Sequence, residues 1–338
     1  MDDTKANIPE WFKGGENKIS LYSSVRIVRN FRAINFPSAG VHNSFRQVEK
    51  KADEVLGELI TNGTVIKFDI AAIDQSEIIR LQKFRILPAR RNDVLTKMKL
   101  YHHRGLDTYL LINYSDHLTF FAHTGGNDIR RSYNNCTALA DMFRNEDMSM
   151  DERGNYHTAS LDYFGTGLKC FSVLTIPAIR LFGDINWLIS SLKTNRTASK
   201  SFFSLDGYDM TIISNMDSVS KNSDEIVSDF GKILGEIEKI SDGLTRENNE
   251  KSDELKLRCS RIINYDFLTF SNFMEIYYIL SFIRLTGQCI IPVNELNEQV
   301  GFVVFDSPRS SLSGGLKRSV TGGMVEKINK ILNREELS

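Results

Sequence analysis

The sequence predicts an α+β protein, a mostly antiparallel sheet flanked by helices, and three observations carry that expectation. Strand-like runs gather in the first two thirds of the chain, helical periodicity surrounds them and fills the last third, and no regular β-α-β alternation is present. The division that follows is an N-terminal arm over 1–17, a sheet-bearing domain over 18–218 and a helical C-terminal subdomain over 219–338.

The elements follow in order. Trp11 and Phe12 anchor the arm ahead of Gly14-Gly15. Ile19, Leu21, Val25 and Ile27 sit at mostly even spacing and predict an extended segment over 19–30 that carries Arg26 and Arg29. Planar guanidinium forks at such spacing can clamp phosphate or carboxylate, and surface salt bridges are the competing reading. Phe45, Val48, Ala52, Val55, Leu56 and Leu59 follow the 3.6 period and predict a helix over 44–59 that Asn62-Gly63 ends. A strand over 64–73 and a short helix over 75–84 come next, then a basic stretch over 88–105 with adjacent His102 and His103. Neighbouring side chains on one strand point to opposite faces, and no supporting carboxylate or thiol spacing accompanies them, so no metal site is expected.

Tyr109–Ile112 and Leu118–Phe121 are β-forming runs around the polar turn 113–117, and polar groups at the end of buried strands are where a site is usually built. An ordinary hairpin tip would look the same. A helix over 132–148 follows, and Tyr163-Phe-Gly-Thr-Gly-Leu-Lys169 sets two glycines beside a lysine, a loop able to aim open amides at an anion. It matches neither the P-loop spacing nor the dinucleotide fingerprint. A buried helix is expected over 176–192, an exposed Ser/Thr/Lys-rich loop over 194–207 and a strand over 208–214. Ile226, Phe230, Ile233, Ile237, Ile240 and Leu244 form an apolar stripe on a long helix, for core packing or a partner-binding face. Helical material is also expected over 255–263, 273–283, 295–304 and 325–332, with a Pro/Ser/Gly loop over 307–315.

Composition bounds the function. The 338 residues are 41% hydrophobic and 25% charged, values of an ordinary globular chain with a full core. A net charge of −1 gives no global field toward nucleic acid or anionic lipid. Cys136, Cys170, Cys259 and Cys289 are far apart, which supports neither a zinc site nor a disulfide framework. The acidic, polar N-terminus and the lack of a long apolar run predict a cytoplasmic protein with no membrane and no nucleic-acid partner.

Taken together, these motifs resemble the ATP:guanidino phosphotransferases, and within them the bacterial protein-arginine kinases of the McsB type. The family's Asp-Ile-Val-Leu-Ser-Ser-Arg-Ile-Arg-Leu-Ala-Arg-Asn lies over 18–30, where Ile19, Leu21, Ser23, Arg26, Arg29 and Asn30 match. Its Asn-Glu-Glu-Asp-His-Ile-Arg lies over 113–119 and its Gly-Thr-Gly-Leu-Arg over 165–169, while Leu280–Gly287 and Leu312–Gly315 resemble later landmarks. The likeness covers about residues 8 to 332.

In that family several arginines hold the ATP phosphates and a glutamate orients the substrate guanidinium, a division of labour that suits phosphoryl transfer. Here Ser24 stands at the first phosphate arginine, Tyr114 and Ser115 at the glutamates, Thr119 and Lys169 at two further arginines, and Ser160 at the family cysteine. The family's Gly-Glu-Gly-Ser-Glu loop has no counterpart in 197–205. The resemblance implies a vestigial nucleotide site of Arg26, His117, Lys169 and Arg196, with no assignable catalytic residue and no metal. It implies a pseudokinase acting as a protein-binding or scaffold module. No nearby carboxylate clearly replaces the missing base, and Asp162 and Asp206 are candidates only if loops rearrange; the alternative is an active protein-arginine kinase using ATP and Mg, with Lys169, Arg26 and Arg196 on the phosphates and Asp116 on the guanidinium. Partners implied by resemblance are a zinc-containing activator or a Clp-type unfoldase, and a homodimer is a further expectation.

Overall fold

The structure is a computed structural model, and it describes residues 19–37, 42–83, 85–88, 97–144, 147–194, 197–201, 210–216, 218–219, 221–263 and 270–287. The strands are β1 (Ser20–Arg29), β2 (Val65–Asp69), β3 (Lys99–His103), β4 (Thr108–Ile112), β5 (Leu118–Gly125), β6 (Leu168–Leu174), β7 (Thr197–Ser201) and β8 (Thr211–Asn215). They form an eight-stranded sheet in the order β2-β3-β4-β5-β1-β6-β8-β7. Every pairing is antiparallel, as the sequence led us to expect.

The described helices are α1 (His42–Thr61), α2 (Gln75–Lys83), α3 (Ile129–Ala140), α4 (Pro177–Phe182), α5 (Ile185–Thr194), α6 (Ser223–Glu247), α7 (Ser252–Ile263) and α8 (Phe270–Leu285). Both faces of the sheet are covered. Val25, Ile27, Leu110, Phe120 and Cys170 point into one cluster with Val48 and Leu56 of α1, Cys136 of α3, Leu188 of α5 and Phe230 of α6. Tyr22, Leu111, Phe121 and Phe171 point into the other, with Ile78 of α2, Cys259 of α7 and Tyr278 of α8. Because strand side chains alternate, β1 feeds both layers, and its residues are buried apart from Arg26 and Arg29.

The long stripe of α6 belongs to the protein's own core. Ile226, Phe230 and Ile237 are buried, and Ile233, Ile240 and Leu244 pack at the edge of the same cluster. The helix begins at a capping box, in which Asn222 accepts from the Glu225 amide and Glu225 accepts from the Asn222 amide. The described helices after residue 219 contribute to the same two clusters as the sheet.

The helix expected over 132–148 runs instead over Ile129–Ala140, and two further expectations are corrected. The stretch 194–207 is not an exposed loop throughout, because Thr197–Ser201 pairs with β8 along its length; a polar strand at the end of a sheet shares its composition with a loop. The single helix over 176–192 is two, divided at Gly183 with Asp184 accepting from the amides of Asn186 and Trp187 to start the second. Trp11, Phe12, Cys289 and the elements expected over 295–332 lie outside the described residues. No helix among the described residues is long and apolar enough to cross a membrane.

Candidate functional site

The turn between β4 and β5 is built by its own side chains. Asn113 takes a left-handed φ of 63°, its amide donates to the His117 carbonyl over 3.1 Å, and its Nδ2 reaches the Phe45 carbonyl of α1 at 3.1 Å. Asp116 is 1% exposed and accepts at Oδ1 from Asn30 Nδ2 (2.7 Å) and from the Ala159 amide (2.7 Å), and at Oδ2 from Ser115 Oγ (2.8 Å). His117 Nδ1 accepts from the Phe31 amide at 3.0 Å, which leaves the proton on Nε2 to donate to the Asn35 carbonyl at 2.8 Å. The ring stacks with Phe31 and with Phe36, and burial holds its pKa below the ordinary histidine value. Asp116 and His117 therefore fasten the turn to the end of β1.

A cationic cluster lies on the other side of β1, on the face that carries Tyr22 and Phe121. Arg26 stands opposite Phe121 on β5 and Lys169 on β6, and Ser24 opposite His123 and Phe171. The Arg26 guanidinium lies 5.6 Å from the Phe121 ring centre and 5.4 Å from that of Phe171, and its Nη2 donates to the Arg85 carbonyl at 3.0 Å. Arg85, in a left-handed turn just past α2, sets its own guanidinium 5.7 Å from the Phe171 ring centre. Lys169 reaches Asp162 only at 3.9 Å, and burial lowers its pKa. Ser24 Oγ and Arg26 Nε are buried without a hydrogen-bond partner among the described residues.

The remaining site positions scatter. Thr119 is buried, Tyr114 packs half-buried at the rim of the cluster with Phe121, and Ser160 Oγ accepts from the Asp162 amide at 3.3 Å. Arg196 and Asp206 lie outside the described residues. Arg85 was missed by sequence reasoning, since it sits in no pattern and only a left-handed backbone brings it to Arg26.

The glycine loop differs from expectation. Its amides turn inward: Gly165 N donates to the Tyr156 carbonyl, Thr166 N to the Ser218 carbonyl and Leu168 N to Thr166 Oγ1. The glycines are demanded by close approach at positive φ. A Cβ on Gly165 (φ +103°) would lie 2.2 Å from the Ser218 carbonyl oxygen, and one on Gly167 (φ +69°) 2.5 Å from that of Val28. His102 and His103 are likewise spent locally, on Asp107 at 3.0 Å and on the Leu106 amide at 3.1 Å.

With this geometry in view, the sequence model of the ATP:guanido phosphotransferase C-terminal catalytic domain matches residues 47–241, more than half of the chain. The chain belongs to the ATP:guanido phosphotransferase family. Among the family's members, the protein-arginine kinase of Clostridium acetobutylicum is 22% identical over 334 residues, 95% of this chain and 93% of that one. The protein-arginine kinase of Halothermothrix orenii is 25% identical over 192 residues, 55% of this chain, and the match spans only 54% of that relative's length. Lombricine kinase superposes with a TM-score of 0.57 at 15% identity, over 69% of each chain. The substrate-free duplicated taurocyamine kinase from Schistosoma mansoni gives 0.54 at 14%, over 67% of this chain and 32% of that one. At such identities the structural likeness establishes the fold.

Proposed function

We propose that this chain is a protein-arginine-kinase homologue that has lost phosphoryl transfer and keeps the fold as a protein-binding or scaffold module in the cytoplasm. The observation that carries the proposal is the fate of Asp116. In the stretch where the family places its acidic residues, this carboxylate is taken up by Asn30, Ala159 and Ser115, while Tyr114 and Ser115 bring no charge. Nothing there is free to orient a guanidinium. Each arginine lost from a phosphate cradle removes charge-assisted hydrogen bonds worth roughly 1.5–3 kcal/mol each, and Ser24, Thr119 and Lys169 occupy such positions.

A second reading, an active kinase with a rewired site, draws on Arg26, Arg85 and Lys169 sharing one face. It needs another base, because Asp116 is buried and occupied. Incubating the purified chain with Mg-ATP and an arginine-rich protein, then assaying acid-labile phosphoarginine, separates the two. The expected result is no phosphoarginine, and multiple turnover would end the degenerate reading. A zinc-containing activator and a Clp-type unfoldase are the first partners to test in pull-downs, alongside self-association.

A further inference from the structure

We propose that a cavity on the opposite side of the sheet from Arg26 binds a small organic phosphate monoester. It measures about 550 Å³, within the range of small-molecule sites, and lies where the end of β1, the 151–156 turn and the entry to α6 meet. Arg29, Arg153 and Lys221 line it, one cation from each of these segments, against the single lining carboxylate Asp141 among the described residues.

Two of the three cations, Arg29 and Arg153, make no ion pair with a described residue. Arg29 lies 3.5 Å from the Tyr156 ring centre and donates to the neutral carbonyls of Val28 and Thr166, so its charge meets no ion-pairing carboxylate among the described residues. Burial disfavours that charge, Tyr156 and the more distant Asp141 offset this only in part, and a bound anion would add to them. Arg153 is exposed and makes no ion pair with a described residue, and Lys221 holds only the solvent-facing Asp229. The acidic first turn of α6 does not block the site: Asp224 turns to Arg130, and Glu225 is held in the capping box.

Cations supplied to one cavity by three different segments suit a dianion better than a monoanionic carboxylate. The volume exceeds what inorganic phosphate fills, and the walls of Ile27, Ala140, Val219 and Tyr133 provide apolar and aromatic surface for an ester group.

The test titrates the full chain with 4-nitrophenyl phosphate at fixed ionic strength, followed by calorimetry, with inorganic phosphate and 4-nitrobenzoate as parallel probes. Saturable binding of the ester is expected, tighter than either of the other two. Arg153→Ala and Lys221→Ala should each weaken it by roughly tenfold or more, and Lys169→Ala, on the other face, should leave it unchanged. Circular dichroism confirms the fold of each variant, and Arg153→Glu serves as a second, charge-reversing variant. Absence of saturable binding, equal binding of 4-nitrobenzoate or of bare phosphate, or loss in Lys169→Ala with retention in Arg153→Ala would each overturn the proposal.

Discussion

Asn30 grips the Asp116-His117 pair from both ends of its amide: its Nδ2 lies 2.7 Å from Asp116 Oδ1, and its Oδ1 accepts the His117 amide at 2.8 Å. One side chain thus locks the end of β1 to the β4-β5 turn. Asp116→Ala leaves the buried Asn30 amide with only the His157 carbonyl as acceptor and removes the acceptor of the part-buried Ala159 amide, and should cost about 1–3 kcal/mol in urea unfolding. A change below about 0.5 kcal/mol would show that these bonds do not hold the turn.

Arg26 should matter for packing. Its guanidinium lies against two aromatic rings, so Arg26→Ala is expected to destabilise by about 1–2 kcal/mol, and under the proposed loss of phosphoryl transfer the parent and the variant should both bind Mg-ATP weakly. Calorimetry on both proteins checks this. A low-micromolar dissociation constant for the parent chain, which corresponds to about −8 kcal/mol, would be incompatible with an eroded cradle.

Acid should destabilise the fold through its buried histidines. His123 is held well below the ordinary value of 6.5, first by burial and then by the Arg26 and Arg85 charges; burial also lowers His117 and His103. Below pH 6.5 the unfolded chain takes up protons that the native state resists, so ν_U exceeds ν_N and stability falls with falling pH. The stability is complete above the unfolded pKa and lost as pH drops through the depressed native values. Urea midpoints measured from pH 7.5 to 5 should show this slope, and His123→Phe, among Tyr22, Tyr109, Phe121 and Phe171, should flatten it.

Ile237 is 1% exposed in the core beneath α6. Ile237→Glu buries an unpaired carboxylate and should unfold the domain or cost several kcal/mol, read by thermal melting. A folded variant whose only defect is a lost oligomer would instead place this stripe at an interface.

The regular parts of this fold were legible because their patterns are local. The α6 stripe, the alternation of β1 and the polar turn after Tyr109–Ile112 each report burial through spacing that neighbouring residues fix themselves. What stayed hidden depends on distant chain. Arg85 reaches Arg26 only through a left-handed turn, and β7 looks like a loop until β8 lies beside it. The inward turn of the Gly165–Leu168 amides depends on Tyr156 and Ser218, which no motif spacing reveals. Asp116 and His117 illustrate the same limit at the candidate site, since the motif survives while its atoms are bonded to the fold.

The placement of β1 also carries a kinetic consequence. Ile27 is the partner of Phe120 on one side and of Leu168 on the other, so β1, the earliest of the described strands, has neighbours made much later. During synthesis β1 must wait as an unpaired, largely apolar segment until β5 and then β6 arrive, and the loops it closes are long. The β3-β4-β5 meander, joined by short connections, can form before it. The central strand is then the late arrival that converts this meander and the β6-β8-β7 ribbon into one sheet, and the interval before it docks is when the nascent chain is most open to aggregation or to a chaperone.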